Sequence, residues 1–134
     1  MTVEGTVTTL HSFDLADGAQ PYSPLSQSTK GNFYGATPNG GENNQGTVFG
    51  LATGLKPFVR FVRSAGPVGA TCEILGQGFK GTSRVYFNGV RTYFTVLGPD
   101  VLSANVPPGA TTGFVTVVTP SGPLRTNVPY IVLP

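Results

Sequence analysis

Glycine or proline punctuates this chain every few residues: 19 glycines and 12 prolines among 134 positions. That spacing excludes most folds at once. Proline removes a helical hydrogen bond and clashes with the preceding turn, and glycine is the poorest helix former after it. No amphipathic helical stretch of any length survives between them, and no run of about 18 apolar residues exists to cross a membrane as a helix. Such a Gly/Pro content approaches that of disordered chains, but the rest of the composition opposes disorder. Hydrophobic residues make up 39% and charged residues only 10%, so there is apolar surface enough to offset the entropy of ordering. Short strands joined by many turns satisfy all of this, and the expected fold class is all-β.

The densest glycine stretch, KGNFYGATPNGGENNQGTVFG at 30–50, has the look of a phosphate cradle. "GENNQGT" at 41–47 carries the Walker glycine spacing, yet Thr47 stands where that loop needs lysine. The adjoining residues, "VFGLATG", read as a strand and not as a helix with free amides. The stretch is predicted to be a turn between "NFYGAT" and "GTVF", with glycine and asparagine supplying the left-handed backbone positions.

"GTVTTL" at 5–10 returns as "GTVFGL" at 46–51, a spacing typical of stacked β-units. Between the echoes lie "LHSFD", "DGAQPYSPL" and "GNFYGAT". Taken in order, LHSF, DGxxPY, GNFYGxTxxGG and GTVF resemble the GloVer-type repeat of large secreted bacterial proteins. The resemblance covers residues 5 to about 52 and implies a propeller-like blade or β-meander. One copy is present, and no second LHSF comes after Leu51. The mid-repeat start, with no leader between Met1 and "TVEGTVTTL", reads as the tail of a longer array.

Beyond "ATGLKPFVRFVRS" the pattern changes. Alternation is plain at Val85/Phe87, Leu102/Ala104/Val106, Val115/Val117 and Tyr130/Val132. Asn88-Gly89 is a strong type I′ hairpin signal, and "TPSGPL" predicts a second hairpin. Six or seven short strands in about 70 residues indicate two packed sheets. Pro67-Val68-Gly69, Gly76-Gln77-Gly78-Phe79, Val85-Tyr86-Phe87-Asn88-Gly89 and the Val106–Gly113 turn resemble the IPT/TIG family. That resemblance implies an immunoglobulin-like β-sandwich, a scaffold that serves adhesive, spacer and dimerisation roles.

Charge divides the chain at the same place. Residues 1–55 set Lys30 against Glu4, Asp14, Asp17 and Glu42, a net −3; residues 56–134 set seven basic residues against Glu73 and Asp100, a net +5. The expected organisation is a repeat unit at 1–55, a linker or joining strand at 56–64 and a sandwich at 65–134. The single cysteine, Cys72, excludes an internal disulfide and a multi-thiolate metal site, and shares a strand face with Ile74 as a small buried residue.

Candidate chemistry is sparse. His11 is the sole histidine, so any hydrolase acting on an ester, lactone or glycoside would use it, with Asp14 and Asp17 nearby. Ser12 would face the opposite side of an extended strand. No GxSxG elbow occurs, and the six acids lie mostly in turns, which argues against a glycosidase carboxylate pair. No cofactor is expected. Calcium is the metal that Asp14, Asp17 and the "LADG" carbonyls would suit, since it takes oxygen ligands. Tyr22, Tyr34, Tyr86 and Tyr93 offer rings for stacking on sugars, and alternation places Tyr86 outward beside Arg84. Scattered basic residues give no nucleic-acid face. The expectation is a non-catalytic extracellular bacterial module for structure, adhesion or polysaccharide contact. A small hydrolase and a carbohydrate-binding module are the alternatives. The orphan blade, with unpaired edge strands, is expected to pair with another subunit.

Overall fold

The computed structural model describes residues 5–134. Met1 to Glu4, which open the expected repeat unit and carry one of its acids, lie outside the described residues. Among the described residues the chain is all-β, with thirteen strands and no helix. It divides into two compact units, one of residues 1–27 and 33–52, the other of residues 28–32 and 53–134.

The first unit is a three-stranded antiparallel sheet of β1 (Ser26–Gln27), β2 (Phe33–Thr37) and β3 (Thr47–Leu51), in that order. The β2–β3 register runs from Thr37 opposite Thr47 to Phe33 opposite Leu51. The glycine-rich stretch is the turn between them. Gly40, Gly41, Asn44 and Gly46 all have φ between 53° and 85°. A side chain at Gly46 would run into the carbonyl oxygen of Thr37, so the close approach itself requires glycine. The loop amides turn on their own loop: Gly40 N–H donates to Asn44 Oδ1 at 3.0 Å and Gly46 N–H to Gly40 O at 2.9 Å. Amides so engaged are not available to a phosphate.

Residues 5–10 form no strand although their sequence nearly repeats that of β3. Strand propensity depends on context more than on the letters themselves: β3 is held in the sheet by β2, whereas Val7 lies 73% exposed outside it.

The second unit begins with β4 (Arg60–Phe61), β5 (Ala65–Pro67), β6 (Thr71–Leu75), β7 (Arg84–Phe87) and β8 (Val90–Thr92). It continues with β9 (Phe94–Val96), β10 (Val101–Asn105), β11 (Val115–Thr119), β12 (Gly122–Arg125) and β13 (Ile131–Leu133). Two four-stranded sheets, β4-β6-β10-β9 and β12-β11-β7-β8, share one core, and β13 pairs in parallel with β5. Phe61, Cys72, Ile74, Leu102 and Ala104 enter that core from one sheet, and Val85, Phe87, Val115 and Val117 from the other. The alternation read from the sequence is thus the inward face of a two-layer sandwich. Fully burying each such aliphatic or aromatic side chain contributes about 1.5–3 kcal/mol. Tyr130 closes the layer, its ring 5.2 Å edge-on to both Phe61 and Phe87.

Segment 56–64, expected to join two units, belongs to the sandwich. Val59 is fully buried, and β4 pairs with β6 through Phe61 opposite Ile74. Residues 28–32 group with the same unit, where Phe58 N–H donates to Thr29 O and the Thr29 hydroxyl donates to Gly76 O. Both hairpins form as predicted: Asn88 (φ 44°) and Gly89 (φ 88°) turn β7 into β8, and β11 returns as β12 with Thr119 opposite Gly122.

Candidate functional site

Two places gather chemistry-bearing side chains, one in each unit. In the first unit, residues 14–17 fold back on themselves. Asp14 N–H donates to Asp17 Oδ1 at 3.0 Å, while Asp14 Oδ1 accepts from the amides of Ala16 and Asp17. The Thr47 hydroxyl donates to the Asp17 carbonyl and Gly41 N–H to that of Leu15. So anchored, Asp17 presents Oδ2 to His11 Nε2 at 2.5 Å. The Asp14 amide, foremost, and the His11 contact hold the Asp17 carboxyl below its ordinary value. An ionised carboxylate oxygen can only accept, so Nε2–H is the donor in this contact.

The His11 ring packs edge-on to Phe13 at 4.8 Å, and Phe13 packs on Phe49 at 4.9 Å. Gly35 lets Phe49 and Leu25 close over the sheet, for a Cβ there would lie 2.5 Å from Phe49 Cζ. The result is an open pocket of about 590 Å³ with Leu10, Phe13, Leu25, Phe49 and Leu51 as apolar walls and His11, Asp17 and Ser23 as polar ones. Of the expected residues, His11 and Asp17 come together there. Ser12 is not a wall of the pocket; Ser23, which sequence reasoning missed, is. Nothing in the local sequence marks Ser23, because a proline-rich turn and not a spacing rule brings it round.

Among the described residues no group of three His, Cys, Asp or Glu gathers to hold a metal. Asp14 and Asp17, expected to serve calcium, give their Oδ1 atoms to backbone amides and one Oδ2 to His11.

In the second unit, the outward face of sheet β12-β11-β7-β8 carries the other site. Strand register aligns Arg125, Thr116, Tyr86 and Arg91 in one row across its four strands. Arg84 and Val118 lie opposite each other in the next row. The Arg125 guanidinium sits over the Phe114 ring at 4.2 Å. Tyr93, 90% exposed, borders the same hollow as Arg91. Among the described residues no carboxylate lies within ion-pair distance of these three arginines. Tyr86 and Arg84 share an outward face as expected. Tyr22 and Tyr34 belong to the first unit, exposed at its surface. Arg91, Phe114 and Arg125 do not stand out in the sequence. The signal is nonetheless present: the Asn88-Gly89 turn sets Arg91 opposite Tyr86, and counting back from inward Val115 and Val117 turns Phe114 outward.

Cys72 is buried to 1% exposure, and burial, with Glu73 beside it, pushes its thiol up to about 12. It packs and does not react. No known protein-family model matches the chain, and no curated protein matches it. The resemblances to the two families therefore stand on the motifs alone.

Proposed function

We propose that the chain is a non-catalytic structural and adhesive module of the bacterial cell exterior whose N-terminal unit is completed by a second copy through its edge strands. One observation carries the reading: the near-identical segments 5–10 and 46–51 end in different states. The second is β3, paired with β2; the first forms no strand. In the sheet order β1-β2-β3, β3 is an edge, and Val48 on it is 81% exposed. Among the described residues the first unit buries no large apolar side chain, while Val7, Leu10, Leu15 and Tyr22 stand exposed. Segment 5–10 carries strand-forming sequence but lies in no sheet, and the uncovered β3 edge offers a ladder to a strand from another chain. The GloVer-like motifs add that such units come in tandem, and the IPT/TIG-like motifs add a rigid sandwich of the kind used on cell surfaces. Polysaccharide contact is assigned to Tyr86 and Arg84 on the second unit.

Light scattering over about a hundredfold dilution tests the assembly. The expected result is an oligomer that dissociates on dilution, and Val48→Lys, a charge on the edge strand, should leave monomers. A monomer at every concentration, with β3 amides protected from exchange on both edges, would contradict it.

A hydrolase reading draws on a separate observation, the His11–Asp17 pair in a pocket that also holds Ser23. There Asp17, steadied by Asp14, would orient His11 as general base toward an ester, lactone or glycoside. Turnover of such substrates that disappears in His11→Ala would favour it over the binding role.

A further inference from the structure

We propose that the outward face of sheet β12-β11-β7-β8 binds a carboxylate-bearing polysaccharide, a polymer of uronic acid units. The proposal rests on the polysaccharide reading and names its chemical class. Charge complementarity commits the face to an anion. Arg84, Arg91 and Arg125 project from it, none of the six acids of the chain falls on its four strands, and among the described residues no carboxylate pairs with any of the three. Guanidinium forks match carboxylates in two parallel hydrogen bonds, which lysine does not. Arg125 is already steadied over Phe114, so less freedom is lost when it binds. Tyr86 lies in the row between Thr116 and Arg91, half-buried on the outward face.

Spacing separates this ligand from other polyanions. Four adjacent strands set Arg125 and Arg91 about 14 Å apart, and Arg84 stands about 7 Å along β7 from Tyr86. Duplex DNA carries a charge every ~1.7 Å of its axis, far denser than three arginines over that span. A uronate chain, with one carboxylate per sugar and a ring between, matches the sparse pattern of fork, aromatic, fork. The first unit of a second copy is the remaining acidic candidate, with four acids and no lysine or arginine. Its Asp14 and Asp17 carboxylates, however, are engaged with backbone amides and His11.

Titration of the full chain with polygalacturonate, amylose and a mixed-sequence duplex DNA oligomer decides the matter. Polygalacturonate is expected to bind in a salt-sensitive manner and amylose not to bind. Each of Arg84→Gln, Arg91→Gln and Arg125→Gln should weaken binding about tenfold at an unchanged melting temperature. Arg91, which makes no ring contact, keeps the test valid if the Arg125 variant fails to fold. Binding of amylose as tight as that of polygalacturonate and indifferent to the arginines would leave polysaccharide contact standing and overturn the acidic class. Absence of binding to either polymer would overturn both. DNA binding as tight as that of polygalacturonate would assign the face to nucleic acid. Salt-sensitive self-association lost in the same variants would assign it to a second copy.

Discussion

Asp17 shows how much organisation one exposed side chain can hold. Its Oδ1 takes the Asp14 amide and its Oδ2 takes His11, and the amide, foremost, with His11 favours the charged carboxylate. The folded pKa therefore lies below the ordinary 3.8. As pH falls the unfolded chain takes up its proton first, so the stabilisation is complete above the unfolded value and is lost through the folded one. Moving from about pH 5 to about pH 3 should lower the exchange protection factor of the Asp14 amide, and Asp17→Asn should remove most of that dependence. A protection factor that falls equally in both proteins would show that another group governs the turn. In the sequence His11, Asp14 and Asp17 are visible as a cluster of polar residues. Which of them meet is not legible there, because it depends on Leu15 adopting a left-handed φ of 74°, a conformation its residue type disfavours.

The β7–β8 hairpin is the element in which sequence and structure agree most closely. Asn88 accepts a φ of 44°, and its side-chain amide also donates to Thr111 Oγ1 at 2.9 Å and to the Thr112 carbonyl. Asn88→Ala should cost about 1–3 kcal/mol, through left-handed strain and the lost bonds. Asn88→Gly should cost less, since it keeps the backbone freedom; denaturant unfolding of both variants measures the difference. Equal losses would mean that the side-chain bonds, and not the turn, dominate. Hairpins of this kind are legible because turn chemistry and alternation are local. Segment 5–10 is not legible, since letters nearly the same as those of β3 form no strand there, and pairing in a sheet is not a local property. β4 reads as a joining piece for the reverse reason: two residues are too few for alternation to register, and only pairing with β6 shows Phe61 turning inward.

Across the whole molecule the two units differ in what sustains them. The second holds every buried apolar residue of the described chain, fourteen of them around one core, and the first holds none. Amides of β6, β10 and β11 should therefore exchange only on global unfolding, and those of β2 and β3 through openings of much smaller free energy. Equal protection in both units would contradict this. Charge respects the same division more sharply than the sequence boundary indicates. The first unit carries −4 with no lysine or arginine, and the second, with Lys30 among its residues 28–32, carries +6. That partition is hidden in the sequence because residues 28–32 interrupt the first unit while packing with the second. The ring of Tyr130, set against Phe61 and Phe87, also has a consequence for biosynthesis. About 70 residues separate Phe61 from Tyr130, which at a ribosome's 5–20 residues per second is a delay of roughly 4–14 s. Within it the nascent β4-β6 pair is covered only as Val85 and Phe87, and then Val115 and Val117, leave the ribosome, so the chain carries a partly open greasy face until the last aromatic arrives to seal the core.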